Sequence, residues 1–427
     1  MERVAVDHLL VRAERLLTMD PARGSGDLGV VRDGAVAVRG ERIVAAGATD
    51  EILARHAAPA DAVLDLAGQT LLPGYVDPHT HVLFAGSREE EFARRLDGAS
   101  YMEIAAAGGG ILSSVRAFRS SSDEEILTAT RRRCDRMLAL GSTTIEAKSG
   151  YGLDTESEMR ALRLIDALDA SHPLSLLGTF LGAHEIAPEY RDRRSEYVRL
   201  VAEEMLPRAA RETKVRFCDV FCEKGVFTAE ESRTILRAAQ QHGLGLRLHA
   251  DEFAPSGAAE LAGELGALSA DHLMEVTDAG LAAMRSAGTI AILLPATSFS
   301  MANRRYAPAR RILDEGIAVA LATDCNPGSA MTTSMPLVVT LAVLEMKMTV
   351  AEALAAATRN AAAALGLPGE VGRLADGFRA DLQILPTHHE AGIVYHLGGL
   401  IPSRVMKSGR WVAKDGILLS QPPRPSS

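Results

Sequence analysis

Four cysteines in 427 residues, Cys134, Cys218, Cys222 and Cys325, make no CxxC pair and no spaced framework. A disulfide-stapled secreted fold is therefore not expected, and a reducing cytoplasm is the simplest home. There is no Lys/Arg-rich run either, and the formal net charge is -9, which argues against a nucleic-acid binder. Long apolar runs are missing too. No stretch of 18 apolar residues occurs, and the Ala-rich "AEALAAATRNAAAALGL" is interrupted by Glu352, Arg359 and Asn360. It reads as one helix of a soluble protein, with no membrane contact. The opening "MERVAVDHLLVRAERLL" carries charges throughout its apolar stretch, so no signal peptide is expected. "AAAGGGI" at 105–111 lacks a GKS/T ending and follows no strand. It reads as a flexible lid or turn rather than a nucleotide loop.

What is present is enough apolar material, 47% of residues, to bury a large core. The length suits two or three domains, or one large barrel with an appendage. Residues 1–70 hold short β-rich runs with Gly turns, such as "GAVAVRGERIVAAG", and residues 372–427 look alike. Both ends predict small sheets, and the two can pair into one domain. Residues 71–371 differ. Apolar runs alternate with helical patterns, for example "TAEESRTILRAAQQHG", with Thr228 as N-cap, Glu231 three residues on and Gly243 as the stop. Eight such runs predict an α/β fold. It is a closed (β/α)8 TIM-type barrel with a small β-sandwich-like domain built from both chain ends. An open doubly wound sheet is the alternative, since closure is not a local property.

Barrel active sites gather at the C-terminal ends of the strands. The runs end, in order, in His79 and His81; Glu146, Lys148 and then Tyr151; His184 and Glu185; Cys222 and Glu223; His249, Asp251 and Glu252; Asp271 and His272; and, in the eighth, Asp324. Ionisable groups thus fall repeatedly at one rim. Residues i and i+2 of a strand share a face, so His79 and His81 can offer two imidazoles to one ion. His249 and Asp324 would complete the set, and His/carboxylate ligation suits zinc or iron with a position left for water. A lone HxH would more simply be a pair of hydrogen-bonded rim residues. The distant partners favour the metal.

"VDPHTH", the histidines of "LHADE" and "SADHL", and the aspartate of "ATDCNPG" resemble the amidohydrolase superfamily. Longer stretches are similar to its imidazolonepropionase family: "HTHVLFAGSREEEFARRLDGASYMEIAAAGGGI", "EAKSGYGLDTESE", "FLGAHEIAPEY", "FCDVFCEKGVF" and "LATDCNPGSAM". The resemblance implies a metal-dependent hydrolase that opens the ring amide of 4-imidazolone-5-propanoate to give N-formimidoyl-L-glutamate. It also implies a homodimer. Many superfamily members carry a bridging carboxylated lysine on strand four. Here that strand ends in Cys222 and Glu223, so one ion per chain, Zn2+ or Fe3+, is expected. Lys148 is then an ion-paired rim residue, and Cys222 packing rather than a ligand.

Ring opening needs a nucleophilic water, a group for its proton and a partner for the developing oxyanion. Glu252, just past the fifth strand, is assigned to water activation and proton transfer; the alternative is a helix-start acid. His272 would hydrogen-bond the water or the carbonyl oxygen, unless it is a satisfied core histidine. Asp324 would ligate and share the proton. Arg88 is the expected anchor for the propanoate, since guanidinium holds carboxylate bidentately; the alternative is an ion pair with the neighbouring "EEE". The resemblance adds Tyr101, Tyr151 and His184 to the pocket. Asn326, Gly328 and Ser329 would offer polar groups to the opened product, with a purely shape-keeping role the alternative for Gly328. A nucleobase deaminase would share the metal set but have no need of Arg88, and a non-catalytic metal scaffold would not need Glu252 and His272.

Overall fold

The computed structural model describes residues 3–98, 103, 108–302 and 305–420. Its centre is an eight-stranded, all-parallel sheet with the strands in sequence order: Tyr75–Asp77, Ser142–Lys148, Ser175–Ala183, Phe217–Cys222, Gly245–Ala250, Ser269–His272, Ile290–Leu293 and Val319–Leu321. An open doubly wound sheet would leave the first and last strands as edges. Here they meet. The Asp77 carboxylate accepts from Thr323 N at 3.0 Å and Thr323 Oγ1 at 2.6 Å. Beyond it, Thr80 bridges Cys325 in parallel, with Asp324 N donating to His79 O at 3.0 Å and His81 N to Cys325 O at 3.1 Å. The barrel is nearly closed, and its seam runs directly beneath the HxH.

Two expectations about local structure change. The first strand stops at Asp77, short of both histidines. Pro78 has no N–H to continue the ladder. The chain stays extended through the bridge just described, which keeps His79 and His81 usable as a pair. The Ala-rich stretch is two helices, Val350–Ala356 and Arg359–Ala364, rather than one. Thr358 Oγ1 turns back onto Leu354 O at 2.6 Å. The break frees Ala357 O to accept from Val76 N of the first strand at 3.0 Å. The helix Ala229–Gln241 forms as its caps predict, with a reciprocal Thr228/Glu231 capping box and Gly243 left-handed after its end. No described helix is long and apolar enough to cross a membrane.

The two chain ends do pair. Leu382–Leu385 runs antiparallel to Thr70–Pro73 in a seven-stranded sheet that also holds Arg15–Leu17 and Arg404–Lys407. A four-stranded sheet carries His8–Ala13 and Gly34–Arg39. Leu10, Leu16, Val36 and Leu71 from one end pack with Leu382, Ile384 and Met406 from the other in a single core. Each such side chain is worth roughly 1.5–3 kcal/mol of burial, so neither end keeps its core without the other.

Candidate active site

The barrel strands are apolar inside except for single charged residues, and these find one another. Lys148 Nζ, fully buried, lies 2.7 Å from both Glu146 Oε1 and Asp219 Oδ2. Arg247, also fully buried, lies 3.2 Å from Glu146 Oε1 and 3.7 Å from Asp271 Oδ2. Lys148 is therefore ion-paired as expected, but in the barrel interior rather than on its rim. The Asp219 carboxylate lies 3.1 Å from His249 Nδ1. Asp271 Oδ2 accepts from His79 Nδ1 at 2.6 Å. The Asp271 bond thus fixes the tautomer of His79 and leaves its Nε2 for the cluster, the arrangement that orients metal-ligating imidazoles.

Those Nε2 atoms converge. His81 Nε2 and His249 Nε2 stand 3.2 Å apart, and Asp324 Oδ1 lies 3.6 Å from both His79 Nε2 and His81 Nε2. His79 Nε2 is buried with no hydrogen-bond partner among the described residues. Buried nitrogens facing each other without protons to share are costly unless a cation sits among them. The donor chemistry fits a metal ion: His79, His81 and Asp324 form one group whose ligand atoms could hold it, and His79, His249 and His272 form another. Burial, then the Lys148 ammonium, pushes His79 well below the ordinary imidazole range. Burial and then His184 do the same to His81. Both rings are neutral, as ligands must be. Asp324 keeps Oδ1 for this cluster because Oδ2 accepts from Thr297 Oγ1 at 2.7 Å. Burial pushes its carboxyl up to about 6, with the Thr297 bond opposing. Asp324 and His272 both take positive φ, at 52° and 76°. Backbone strain of this kind gathers at functional sites.

Glu252 hangs over the cluster on the loop after the fifth strand. Its own backbone N and that of Phe253 donate to Glu223 Oε2, each at 2.9 Å. Glu223, whose strand-end position was noted without a role, thereby shapes the loop. Asp251 turns the other way and caps the helix Ala258–Leu265 through Ala258 N and Ala259 N. Burial, then the Asp324 and Glu223 carboxylates, raise Glu252 well above the usual range. His272 Nδ1 is 3.6 Å from Glu252 Oε1, and its Nε2 is buried without a partner among the described residues. His272 is thus not a satisfied core histidine. His184 stacks on His81, centroids 4.9 Å apart, and its Nδ1 bonds Gly150 O at 3.0 Å. Tyr151 packs against His184 at 5.5 Å. Gly150, at φ 102°, lies where any Cβ would press on His184 Nδ1.

A cavity of about 700 Å³ joins these groups to Arg88. His81, Tyr151, His184, His249, Glu252, His272 and Asp324 line it, with Asn326, Gly328 and Ser329. Tyr101 falls outside the described residues. Arg88 makes the ion pair foreseen as the alternative and also lines the cavity. Its Nε and Nη2 lie 2.9 and 2.8 Å from Glu91 Oε2. Asn326 differs from expectation: Oδ1 accepts from Gly328 N and Ser329 N at 2.8 Å, and Nδ2 donates to Asp324 O at 2.7 Å. Its amide holds the turn together, an Asx-type arrangement, rather than reaching for a ligand. A Cβ at Gly328 would overlap Arg88 Nη1, so a larger residue there would push the guanidinium aside. Arg95, which also lines the cavity, went unnoticed in the sequence. Its seven-residue spacing from Arg88 was the available signal.

The chain matches the amidohydrolase family model over residues 70–412. It is 49% identical over 417 residues to the imidazolonepropionase of Symbiobacterium thermophilum, covering 96% of this chain and 98% of that one. To the imidazolonepropionase of Geobacillus kaustophilus it is 46% identical over 415 residues, covering 95% and 97%. Among solved structures, a Xanthomonas campestris adenosine deaminase with bound zinc superposes at TM-score 0.71 and 18% identity, covering 99% of this chain and 96% of that one. At that identity the likeness speaks for the fold alone. The chain belongs to the amidohydrolase family, on its imidazolonepropionase branch.

Proposed function

We propose that the chain hydrolyses the ring amide C–N bond of 4-imidazolone-5-propanoate to give N-formimidoyl-L-glutamate, a step of histidine degradation. The observation that carries this is the two-ended cavity: a buried His/Asp cluster with Glu252 at one end, and Arg88 at the other. A ring that reacts at the cluster can leave its propanoate with the guanidinium. A deaminase substrate without a tail carboxylate would leave Arg88 unanswered.

One ion per chain, zinc or iron by the donor chemistry, would sit on His79, His81, His249 and Asp324. When bound it supplies Lewis acidity, bringing the pKa of water down toward neutrality. Glu252, made basic by burial and by its carboxylate neighbours, accepts the water proton as the C–O bond forms. It returns that proton to the ring nitrogen as the C–N bond breaks. His272, with a free Nε2 turned toward the same space, stabilises the carbonyl oxygen as it gains charge. Asp324 shares the proton traffic. Tyr151 and His184 wall the ring, and Ser329 and the Gly328 backbone face the opened product. Arg88 binds the propanoate, and Tyr101 is carried as a further pocket residue on resemblance alone. A homodimer in the cytoplasm completes the proposal, and light scattering reads the assembly.

The test is loss of imidazolonepropionate absorbance, followed on one sample alongside elemental analysis. Stoichiometric zinc or iron with turnover supports the reading. Full turnover in a metal-free sample, or none in a loaded one, sinks it.

A further inference from the structure

Arg88 is the N-cap residue of the helix Glu89–Leu96, and Arg95 sits in its last turn. Seven residues is about two helical turns, so both side chains leave the helix on one side, and both line the cavity. They meet at one point. Arg88 Nη1 occupies the space a Cβ on residue 328 would need, and Arg95 Nη1 donates to Gly328 O at 3.4 Å.

Their charges are unequally answered. Glu91 takes Nε and Nη2 of Arg88, and is further held by Gly110 N at 3.1 Å and Ser113 Oγ at 2.8 Å. Arg95 has only neutral hydrogen-bond partners among the described residues, the carbonyls of Gly328 and Ser300 at 3.4 and 3.3 Å and Met301 Sδ at 3.0 Å, and lies 5.1 Å over the Phe92 ring, with Glu91 acting on it only through its charge. Burial, then the Arg88 charge, hold its guanidinium below the usual range. This end of the cavity therefore carries two cations against one carboxylate. A partly desolvated guanidinium with long bonds to carbonyls is arranged to gain from an anion.

We propose that Arg95 is a second anchor for the substrate's carboxylate, receiving it with Arg88 beside Gly328 and selecting an ionised tail of this length over a neutral one. The inference rests on the function proposed above and goes further by naming a specificity residue. A competing role is purely structural, with Arg95 as a clip between the Ser300 and Gly328 loops.

The experiment compares 4-imidazolone-5-propanoate with its propanamide analogue on the metal-loaded enzyme. For Arg95→Met, KM for the carboxylate should rise about tenfold to a hundredfold, the scale of one lost charge-assisted bond. Its kcat and its KM for the amide should stay near wild type. Arg95→Gln keeps N–H donors for the two carbonyls while removing the charge, and should lose carboxylate preference equally. That variant keeps the test alive if Arg95→Met folds poorly. Equal KM shifts on both substrates, or an Arg95→Gln enzyme with wild-type preference, would overturn the second anchor while leaving the function standing. A wild-type enzyme that turns over neither substrate would overturn both.

Discussion

The two ends of the cavity are built on different principles. At the cluster end, His79, His81, His249 and Asp324 are almost wholly buried, and three of them hang from carboxylate or hydroxyl partners on neighbouring strands or loops. At the arginine end, Arg88 and Glu91 are 18% and 17% exposed and sit on a helix and turn outside the barrel. Arg95 is held by loop carbonyls. Bond making needs donors fixed to a fraction of an ångström, which a barrel rim supplies. Holding a flexible propanoate tolerates a softer frame, and loops carry such recognition readily. The cluster end should therefore control kcat and the arginine end KM.

The largest effect tests the cluster end. His249→Ala should lose bound metal and with it about three orders of magnitude or more of kcat/KM, the several kcal/mol that a metal contributes. Elemental analysis and turnover on the same sample read both. Residual activity near wild type would show that the rigid end is not where the chemistry happens. Glu252→Gln comes next. It should keep metal and KM while kcat falls about 10²–10⁴-fold, the range for general acid–base catalysis. An unchanged kcat would move the proton to His272 or Asp324.

Arg88→Met probes the other end. KM for the propanoate should rise about tenfold to a hundredfold, with kcat and metal content held. If kcat falls instead, the two ends are not separable, and Arg88 positions the ring as well as the tail.

The division between the ends also explains what was readable. The barrel and a candidate His/Asp cluster showed in the sequence because strand ends repeat, and because HxH, a strand-end His and a late Asp are each local patterns. The supporting charges did not. Glu146 and Lys148 on one strand, and Asp219, Arg247 and Asp271 on others, are visible as charges in buried strands, which signals buried pairs. But Asp271 is 192 residues from His79, and no local rule says which charges meet. Pro78 hid the true end of the first strand, and the Ala-rich helix broke because a distant strand needed its carbonyl. Asn326 was expected to offer polar groups to the opened product; the turn shows that its own loop uses its amide. At the arginine end, the adjacent "EEE" makes a surface ion pair the simplest local reading, and only the helix Glu89–Leu96 puts Arg95 beside Arg88.

A smaller effect follows from the proton on Asp324. Burial pushes its carboxyl up to about 6 and lowers His79 and His81 well below the ordinary imidazole range. Below pH 6 binding therefore displaces the Asp324 proton. Between neutral pH and 6 the apparent metal affinity should be flat, and below 6 it should fall by about tenfold per pH unit. Chelator competition on the apo-protein reads this slope. A slope of two or three protons would mean that the histidines start charged.

The smallest expected effect is at Cys222. Burial pushes its thiol up to about 11, so at neutral pH it is a thiol rather than the thiolate a metal takes. Ser256 Oγ donates to its backbone carbonyl at 2.9 Å. Cys222→Ala should leave metal content, kcat and KM at wild-type values and cost about 1 kcal/mol of stability, as small core truncations do. Metal loss in that variant would place sulfur in the cluster. The rigid end would then be held by strand four as well as by the strand that carries His249 and the segment after the eighth strand that carries Asp324.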